Sequence, residues 1–393
     1  MTDPRAVRRA VVLKQGREAA TLTRHDDHVE LAYLADYDGP DVATTLPRDA
    51  PPVNAPAGAV PPFFAGLLPE GRRLTALRQH VKTSLDDELS LLLAVGSSTV
   101  GDVVVVAEGE EPAPAPPLVE AGDVRFADLL AETGIVDRVA LPGVQEKASG
   151  AMISLPVRLS GVAAIIKLDP PEYPGAVVIE DYFLRLARRL PLPVAPAELM
   201  HDVDGRPGLV VERFDRVRDG DVVRSLAVED ACQLLGRYPS DKYAVTSEQV
   251  GLAVADVCAA RPVAARACLT QMSFAWLTGN GDLHAKNLSV LQQPSGEWRV
   301  APVYDIPSTL PFGDRTAALR LDGKTEGLTR KAFETYGAAL GLPQRAVQRA
   351  LRDVLTGTEP MLDEIADGAL RLNADATRTL VRQLARRRSD LEA

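Results

Sequence analysis

The sequence predicts an α+β fold in two lobes, with a small N-terminal α/β subdomain in front of them. Segments that alternate apolar and polar residues, as strands do, are concentrated before residue 225. After residue 225, apolar residues recur at helical spacing, which predicts a mostly helical C-terminal lobe. The acidic, proline-rich segment Glu108–Pro117 has no core-forming side chains and indicates an extended linker. The predicted parts are an N-terminal subdomain, a linker, a β-rich lobe and a helical lobe, at 1–107, 108–120, 121–224 and 225–393.

Composition limits the classes of protein to consider. The 393 residues are 46% hydrophobic and 25% charged, as in ordinary soluble globular proteins, and no apolar run approaches the ~20 residues of a membrane span. No apolar core follows Met1–Arg5, so we expect no secretory signal, a cytoplasmic location and no membrane partner. The three cysteines lack metal-ligand spacing and are predicted to be reduced core thiols. A net charge of −10 argues against non-specific binding of nucleic acid.

The N-terminal subdomain is predicted to be a small antiparallel sheet with helices. Alternating runs within residues 6–47 indicate its strands. A helix is expected to open at the end of the segment Val60–Arg73, and a second helix, Asp86–Val95, has leucines at helical spacing. The run Asp102–Ala107 predicts one more strand before the linker.

The β-rich lobe is predicted from a short helix, strands around a glycine-containing turn, and a longer helix. The short helix is expected at Phe126–Thr133, and two strands at Ala151–Leu155 and Gly161–Lys167. A helix over Val177–Leu190 follows by its apolar spacing. The segment Gly208–Arg216 indicates a buried strand that runs into a charged turn. In a protein kinase, a strand, a glycine turn and a second strand cover the phosphates of ATP.

The C-terminal lobe is predicted to be helical apart from two short strands, at 288–291 and 298–303. Its helices are expected at 226–237, 247–258, 262–278, 329–340, 343–355, 359–371 and 374–388. A small β lobe followed by a helical lobe, with a cleft between them, is the plan of a protein kinase. The sequence therefore predicts a protein-kinase-like fold.

The loop between the helix 262–278 and the next strand carries more functional groups than a connection needs. Asp282 and Asn287 have the spacing of a protein-kinase catalytic loop, where the Asp receives the substrate hydroxyl proton and the Asn holds Mg²⁺. Asp305 follows the next strand-like run and offers a further oxygen ligand, which suffices because phosphate-bound Mg²⁺ keeps several waters. The alternative is an ordinary turn, since Asp and Asn side chains bond nearby backbone groups and are common in turns.

A lysine at the end of a strand supports binding of ATP. The run that ends at Lys167 resembles the strand by which a kinase brings its lysine to the α- and β-phosphates. Either Glu180 or Asp181, on the following helix, could pair with this lysine as the helix acid of a kinase does. An ordinary strand-end lysine and two solvent-facing carboxylates are the alternatives that the residues leave open. Together with the loop, this strand predicts phosphoryl transfer from ATP with Mg²⁺.

Eight segments, in chain order, resemble the HipA family of serine/threonine-kinase toxins from type II toxin–antitoxin modules. Each segment alone is short, but their order is that of the family along most of the chain. The Leu-Leu-Pro-Glu-Gly segment lies in this same chain, so the resemblance is to full-length members and not to those with a separate small N-terminal protein. The segments are 63–71 (FFAGLLPEG), 143–147 (GVQEK), 165–167 (IIK), 211–216 (VERFDR), 229–236 (EDACQLLG), 242–243 (KY), 282–287 (DLHAKN) and 304–305 (YD).

The resemblance implies roles for individual residues. Asp282 would be the catalytic base, and Asn287 and Asp305 would hold magnesium. The loop Pro142–Lys147 would cover the phosphates, and Glu212–Phe214 would form the hinge that binds adenine. The residues implied in ATP binding are Pro142, Gly143, Val144, Gln145, Glu146, Lys147, Lys167, Glu212, Arg213, Phe214, His284, Lys286 and Tyr304.

The resemblance also implies an activity and partners. The activity would be phosphorylation of serine or threonine in a protein substrate, with aminoacyl-tRNA synthetases among the family's substrates, which halts translation. The partners would be a helix-turn-helix, HipB-like antitoxin and, only through the toxin–antitoxin complex, operator DNA. Two other functions stay open: a catalytically idle nucleotide-binding co-repressor, and a small-molecule phosphotransferase. Such phosphotransferases usually have the histidine before the catalytic Asp, whereas His284 follows Asp282.

Two positions depart from the pattern of the family. Ala140 stands where the family has a serine that it phosphorylates to silence itself, so we expect this switch to be missing. Ser149 is a possible substitute, although a plain turn serine is the stronger interpretation. The acidic position of the helix after Lys167 falls on Asp181, whose shorter side chain leaves the ion pair open.

The C-terminal helix carries a basic patch formed by Arg382, Arg386, Arg387 and Arg388. Cations in the last turns of a helix complement its dipole, which is the favoured interpretation. Contact with phosphates when the complex lies on DNA is the alternative.

Overall fold

The fold is described by a computed structural model. It describes residues 2–112, 124–132, 152–159, 162–170, 172–220 and 222–393. The predicted phosphate-covering loop Pro142–Lys147, the positions Ala140 and Ser149, and most of the predicted linker lie outside the described residues. In the described part of the chain, no helix is both long enough and apolar enough to cross a membrane.

The N-terminal unit, residues 2–107, is a five-stranded antiparallel sheet with short helices packed on it. Its elements are β1 (Arg9–Lys14), β2 (Arg17–Arg24), β3 (His28–Tyr33), β4 (Val53–Pro56), α1 (Pro62–Ala65), α2 (Gly71–Val81), α3 (Glu88–Val95) and β5 (Val103–Ala107). A two-residue turn joins β1 to β2 because Gln15 and Gly16 both adopt positive φ angles, 53° and 77°. The strand order is β4-β3-β2-β1-β5, so the last strand closes the unit beside the first.

The β-rich lobe is built on a four-stranded antiparallel sheet. Its elements are α4 (Phe126–Glu132), β6 (Ile153–Leu159), β7 (Val162–Leu168), α5 (Ala176–Ala187), β8 (Ala197–His201) and β9 (Pro207–Glu212). The strand order is β6-β7-β9-β8. In β7, the buried residues Ala164, Ile166 and Leu168 pack in one cluster with α4. Because side chains alternate along a strand, Ile165 and Lys167 lie on the opposite face, toward the second lobe.

The helical lobe surrounds one long buried helix. Before it along the chain, β10 (Arg216–Asp219) and β11 (Val222–Ser225) form a separate two-stranded sheet. The elements of the helical lobe are β12 (Val228–Asp230), α6 (Ala231–Leu234), α7 (Ser247–Val257), α8 (Arg261–Thr278), β13 (Ser289–Gln292), β14 (Trp298–Val300), α9 (Arg330–Ala339), α10 (Gln344–Gly357), α11 (Met361–Ala366) and α12 (Ala374–Glu392). Every residue of α8 from Cys268 to Thr278 is buried, so this helix is a core element on all its faces. Its C-terminal end carries the loop with Asp282.

The predicted helix over 226–237 is wrong in its first half. Val228–Asp230 is a strand that pairs antiparallel with β13, and only Ala231–Leu234 is helical. The Asp230 side chain accepts from the backbone N–H of Gln233, and the Gln233 side chain accepts from the Asp230 N–H. This reciprocal cap starts the helix at Ala231 and leaves the residues before it free to form a strand.

Other predicted elements differ in their extent. The strand expected at 298–303 ends at Val300, and the helix expected at 359–371 covers only Met361–Ala366. Gly368, with φ of 95°, prevents that helix from continuing. The strands β8, β10 and β11 were not predicted from the sequence. The three cysteines are buried and unpaired, as expected of core thiols.

The predicted basic patch on α12 is divided by burial. Arg382 and Arg386 are exposed, whereas Arg387 is buried. The guanidinium of Arg387 lies 3.8 Å from the ring centre of Trp276 and donates to the carbonyl oxygens of Trp276 and Arg315. Arg387 is therefore a structural cation that ties α12 to the buried helix α8.

Candidate active site

The loop that follows α8 is shaped by two glycines. Gly279 ends the helix with φ of 73°, a left-handed conformation that glycine adopts without cost. A Cβ atom on Gly279 would lie 2.3 Å from Leu310 Cδ1, and one on Gly281 would lie 2.5 Å from Thr309 Oγ1. Larger residues at these two positions would push the 308–310 segment away. The glycines therefore allow the loop to pack into the lobe and fix its path.

Asp282 is held in place from three sides. Its N–H donates to the side-chain oxygen of Asn280 at 2.8 Å, and its carbonyl oxygen accepts from Asn287 Nδ2 at 3.0 Å. The Tyr243 hydroxyl donates to its carboxylate oxygen Oδ1 at 2.5 Å. The residue is only 2% exposed. Its carboxylate is thus ordered at the floor of the cleft, and the amide of Asn287 is ordered with it.

Lys167 lies between two carboxylates. Its ammonium donates to Glu180 Oε1 at 2.7 Å and to Asp305 Oδ1 at 2.6 Å. Burial alone would lower the pKa of Lys167, but Asp305 and Glu180 outweigh it and raise the pKa above the ordinary value. The lysine is therefore a permanent cation that joins the β-rich lobe to the segment after β14.

The structure decides which acid of α5 pairs with this lysine. Glu180, which is completely buried, is the partner. Asp181 instead accepts from Arg185, one helical turn further along, at 3.0 Å. The expectation that the shorter Asp181 occupies the acidic position is therefore wrong. Burial raises the pKa of Glu180, and the nearby ammonium of Lys167 opposes this rise.

Asp305 adopts an unusual backbone conformation, with φ of 56°. Non-glycine residues with positive φ are uncommon and occur often at functional sites. Val303 anchors the segment, because its N–H donates to Pro193 O at 2.7 Å and its carbonyl accepts from Ala195 N at 2.9 Å. Between Val303 and Asp305, the Tyr304 hydroxyl donates to Lys286 O at 2.8 Å, which joins this segment to the loop that contains Asp282.

The expected hinge, Glu212–Phe214, is held by the N-terminal unit. The Arg213 guanidinium bonds Asp215 and the carbonyl of Thr99, and Asp215 also accepts from the Gly101 N–H at 2.9 Å. The backbone N–H groups of Glu212 and Arg213 donate to the carbonyls of Pro196 and Ala163. An adenine ring that binds along this segment would therefore bond backbone groups other than the N–H groups of Glu212 and Arg213.

One cavity of about 360 Å³ joins these features. It is lined by residues of all three parts of the chain, including Leu68, Glu70 and Val100 of the N-terminal unit. Every expected site residue that the structure describes lines it. These residues are Lys167, Glu212, Arg213, Phe214, Asp282, His284, Lys286, Asn287, Tyr304 and Asp305.

His284 and Lys286 were expected among the residues that bind ATP, and both line the cavity. Burial lowers the pKa of His284, which favours the neutral imidazole, and the ring of Tyr243 meets the ring of His284 edge-on at 5.1 Å. The Lys286 ammonium donates to Gly66 O at 3.0 Å and lies 3.1 Å from a carboxylate oxygen of Glu70. Lys286 thus binds the N-terminal unit directly.

Three residues of this site were either left undecided or given no role from the sequence. Glu180 was one of two open choices, whereas Glu70 and Tyr243 were only parts of matching segments. The polar side chains of Glu70 in the FFAGLLPEG segment and of Tyr243 in the KY segment were the signal that could have pointed to them. No pattern in the sequence indicates that these segments meet beside Asp282, because the Glu70–Lys242 contact joins residues 172 positions apart and the Tyr243–Asp282 contact joins residues 39 positions apart.

The oxygen donors of the cleft suit a hard cation. Asn287 Nδ2 donates to the backbone carbonyl oxygen of Asp282, which leaves the side-chain oxygen of Asn287 available to bind a metal ion. Although burial alone would raise the pKa of Asp305, Lys167 outweighs it and lowers the pKa, which favours the ionised carboxylate. Among the described residues, no group of three or more His, Cys, Asp or Glu side chains is arranged as a metal site. Two oxygen ligands suit Mg²⁺ that is also held by phosphates and water, but not a structural zinc ion.

Comparison with known families and structures fits this arrangement. The family model described as HipA-like C-terminal domain matches residues 139–361, and the one described as HipA N-terminal domain matches residues 10–106. The chain belongs to the HipA family. The predicted resemblance is thereby confirmed.

Relatives in the family are named as kinases. Putative kinase Y4mE of Sinorhizobium fredii is 32% identical over 376 residues, which cover 88% of this chain and 88% of that protein. Serine/threonine-protein kinase toxin HipA of Shewanella oneidensis is 28% identical over 384 residues and covers 86% of each chain. The solved complex of Shewanella oneidensis HipA, HipB and operator DNA contains a chain that matches with a TM-score of 0.78 at 21% identity. That match covers 98% of this chain and 97% of the other, so the HipA-like α+β fold is confirmed.

Proposed function

We propose that this HipA family member is an ATP-dependent serine/threonine-protein kinase and the toxin of a toxin–antitoxin module. One observation carries the proposal: Lys167, Asp282, Asn287 and Asp305 line a single cavity, with Lys167 paired to a buried Glu180. These side chains come from β7, the catalytic loop and the segment after β14, so they meet only in the folded chain. The same set of groups performs phosphoryl transfer in protein kinases.

Asp282 is the group that accepts the proton of the substrate hydroxyl. As the proton leaves, the hydroxyl oxygen bonds the γ-phosphorus of ATP, and the bond from that phosphorus to the β–γ bridging oxygen breaks to release ADP. Lys167 places a fixed cation against the α- and β-phosphates, and Asn287 and Asp305 would hold Mg²⁺. The metal, when bound, supplies further neutralisation of phosphate charge. The protein's own contribution is positioning and electrostatic stabilisation, because phosphoryl transfer needs little else.

The partners in this proposal follow from the family. A HipB-like helix-turn-helix antitoxin would bind the chain, and operator DNA would be contacted through that complex. This extends to the present chain what the Shewanella oneidensis complex contains. The substrate would be a protein of the translation apparatus, such as an aminoacyl-tRNA synthetase, phosphorylated on serine or threonine in the cytoplasm.

The proposal is tested with the purified chain and γ-labelled ATP in a host cell extract, comparing the wild type with Asp282→Ala. We expect protein-bound label and, on expression, growth arrest with the wild type only. Asp322→Ala, at an exposed position outside the cavity, controls for loss of an aspartate and should behave as the wild type.

The outcomes separate the proposed function from its alternatives. Nucleotide binding without transfer and without growth arrest, equal in both proteins, would indicate an idle co-repressor. Label that appears in small molecules and not in protein would indicate a small-molecule phosphotransferase. Transfer to protein by the wild type alone would support the kinase.

A further inference from the structure

The N-terminal unit sends a short segment, residues 66–70, into the catalytic cleft. Gly66, Leu67, Leu68, Pro69 and Glu70 all line the cavity that holds the expected catalytic residues. The Gly66 position fits this close approach, because a Cβ there would lie 2.8 Å from Gln233 Cγ. The segment therefore forms part of the wall of the active site, although it lies about 200 residues before the catalytic loop.

Glu70 is the charged group of this segment, and it bridges two lysines of the helical lobe. Its Oε2 accepts from Lys242 at 2.6 Å, and its Oε1 lies 3.1 Å from the ammonium of Lys286. Lys286 also donates to Gly66 O at 3.0 Å and lies 3.8 Å from a carboxylate oxygen of Asp230. The two lysine side chains are 18% and 11% exposed, so neither ammonium is fully solvated. Glu70 supplies a large share of their neutralisation.

Both lysines support the loop that carries the expected base. Lys286 belongs to that loop, between His284 and Asn287. The backbone of Lys242 accepts from the N–H of Ala285 at 3.2 Å, and its neighbour Tyr243 donates to Asp282. A carboxylate that binds both side chains thus fixes two sides of the same loop. The contact is made by the N-terminal unit and not by the kinase-like lobes themselves.

We propose that Glu70 is a positioning residue of the kinase reaction, through which the N-terminal unit orders the catalytic loop and moderates the positive charge of the phosphate end of the cleft. The proposal rests on the proposed kinase function. Glu70 acts through Lys242 and Lys286 and does not take part in bond making or breaking.

The two parts of this role have opposite effects on kcat/KM: the loss of positioning lowers kcat, whereas the loss of negative charge lowers the KM for MgATP. Without the carboxylate, the lysines and the loop are free to move, and a small displacement of a catalytic group lowers kcat. Without its negative charge, the cleft attracts the triphosphate more strongly, so the KM for MgATP falls. We expect Glu70→Gln to lower kcat about tenfold and to lower the KM for MgATP about threefold to tenfold. A change that only loosened the fold would not make nucleotide binding tighter.

The matched control is Glu108→Gln, which removes the same group from the position directly after β5, the last strand of the N-terminal unit. Glu108 lies outside the cavity, and its carboxylate is 59% exposed and 3.4 Å from Arg9. This variant should keep both kinetic constants of the wild type. Glu70→Asp retains the charge on a shorter side chain and should recover the KM of the wild type while kcat stays reduced.

A substitution of Lys242, the partner of Glu70, provides a second test that does not depend on whether Glu70→Gln folds. Lys242→Met should also lower kcat, but it should raise the KM for MgATP because it removes a positive charge. Opposite shifts of KM in the two variants, with lowered kcat in both, support the proposal. Unchanged kcat in Glu70→Gln or in Lys242→Met, beside an active wild type, overturns it. An inactive wild type would instead refute the proposed function, so the two failures are distinguishable.

Discussion

The cleft has two walls of different construction. The inner wall consists of Lys167, Asp282, Asn287 and Asp305, from the β-rich and helical lobes, with Glu180 buried behind Lys167 as a fifth member. Glu180, Asp282 and Asn287 are at most 5% exposed, and each of the five has a fixed partner in the cleft.

The outer wall is contributed by the N-terminal unit and is more open to water. The side chain of Glu70 is 39% exposed, and Val100 is 46% exposed. Burial fixes the inner-wall groups that the proposed reaction uses, whereas Glu70 of the outer wall contacts Lys242 and Lys286 beside them. We therefore expect substitutions in the inner wall to affect catalysis by orders of magnitude and those in the outer wall by about tenfold or less.

The largest effect is expected from Asp305→Asn. The change removes the charge that pairs with Lys167 and replaces a charged metal ligand of the proposed site with a neutral one, so kcat should fall by about 10³-fold or more. Asn tolerates left-handed backbone, so the φ of 56° at this position can be retained. Asp322→Asn is a matched control, because Asp322 also has positive φ, 49°, and is exposed. Steady-state kinetics of both variants measure the effect, and similar kcat values would contradict the assignment of Asp305.

Two adjacent acids of α5 give a sharper comparison within the inner wall. Glu180→Gln keeps the shape but removes the charge that holds Lys167, and we expect kcat/KM to fall about 10- to 100-fold. Asp181→Asn alters a residue that pairs with Arg185, and it should keep nearly full activity. The measurement is kcat/KM for MgATP in both variants. Equal losses in the two would mean that the Lys167–Glu180 pair has no specific role.

These two acids also show how far the sequence could predict the site. Short local signals predicted four residues of the site: Lys167 ends a strand, Asp282 and Asn287 have the spacing of a kinase loop, and Asp305 follows a strand-like run. The choice between Glu180 and Asp181 could not be made, since neighbours on a helix point about 100° apart and only the docking of α5 on the sheet decides which faces inward. The role of Glu70 could not be predicted either, because its partners lie in a different unit of the fold and only tertiary packing brings them together.

The fold was predicted to a similar extent. Most long helices were located because their apolar spacing is repeated over several turns. The region 226–237 was assigned wrongly because its apolar residues fit a helix as well as a strand over so few positions. The capping residues Asp230 and Gln233, three positions apart, were a signal in the sequence that the helix begins only after Asp230.

Tyr243→Phe tests a contact at the boundary between the two walls. It removes the hydroxyl that donates to Asp282 Oδ1 at 2.5 Å but keeps the ring against His284. A hydrogen bond to a charged group contributes about 1.5–3 kcal/mol, but Asn280 and Asn287 still hold the loop, so we expect a loss in kcat of about tenfold. Tyr238→Phe, on the same connecting segment, is the control. A kcat equal to that of the wild type would show that Asp282 is positioned without Tyr243.

The smallest effect concerns the stability of the outer wall. Burial alone would raise the pKa of Glu70 above its ordinary value of 4.5, but Lys286 and Lys242 outweigh it and lower the pKa to about 2. A lowered carboxylate pKa means that the folded state binds this proton less readily than the unfolded chain. The stabilisation by Glu70 is therefore complete above pH 4.5 and is lost as the pH falls toward 2. Because the side chain is 39% exposed, water screens the ion pairs, and we expect less than about 1 kcal/mol.

Urea unfolding of the wild type and Glu70→Gln at several pH values measures this contribution. The difference in the free energy of unfolding should be constant between pH 6 and pH 8, since these values lie well above 4.5. It should shrink below pH 4.5, as protonation of Glu70 makes the wild type resemble the variant. A difference that grew on acidification would mean that Glu70 is destabilised by its surroundings. The outer wall would then be strained rather than held by the lysines, and the distinction between the two walls would fail where it is most easily measured.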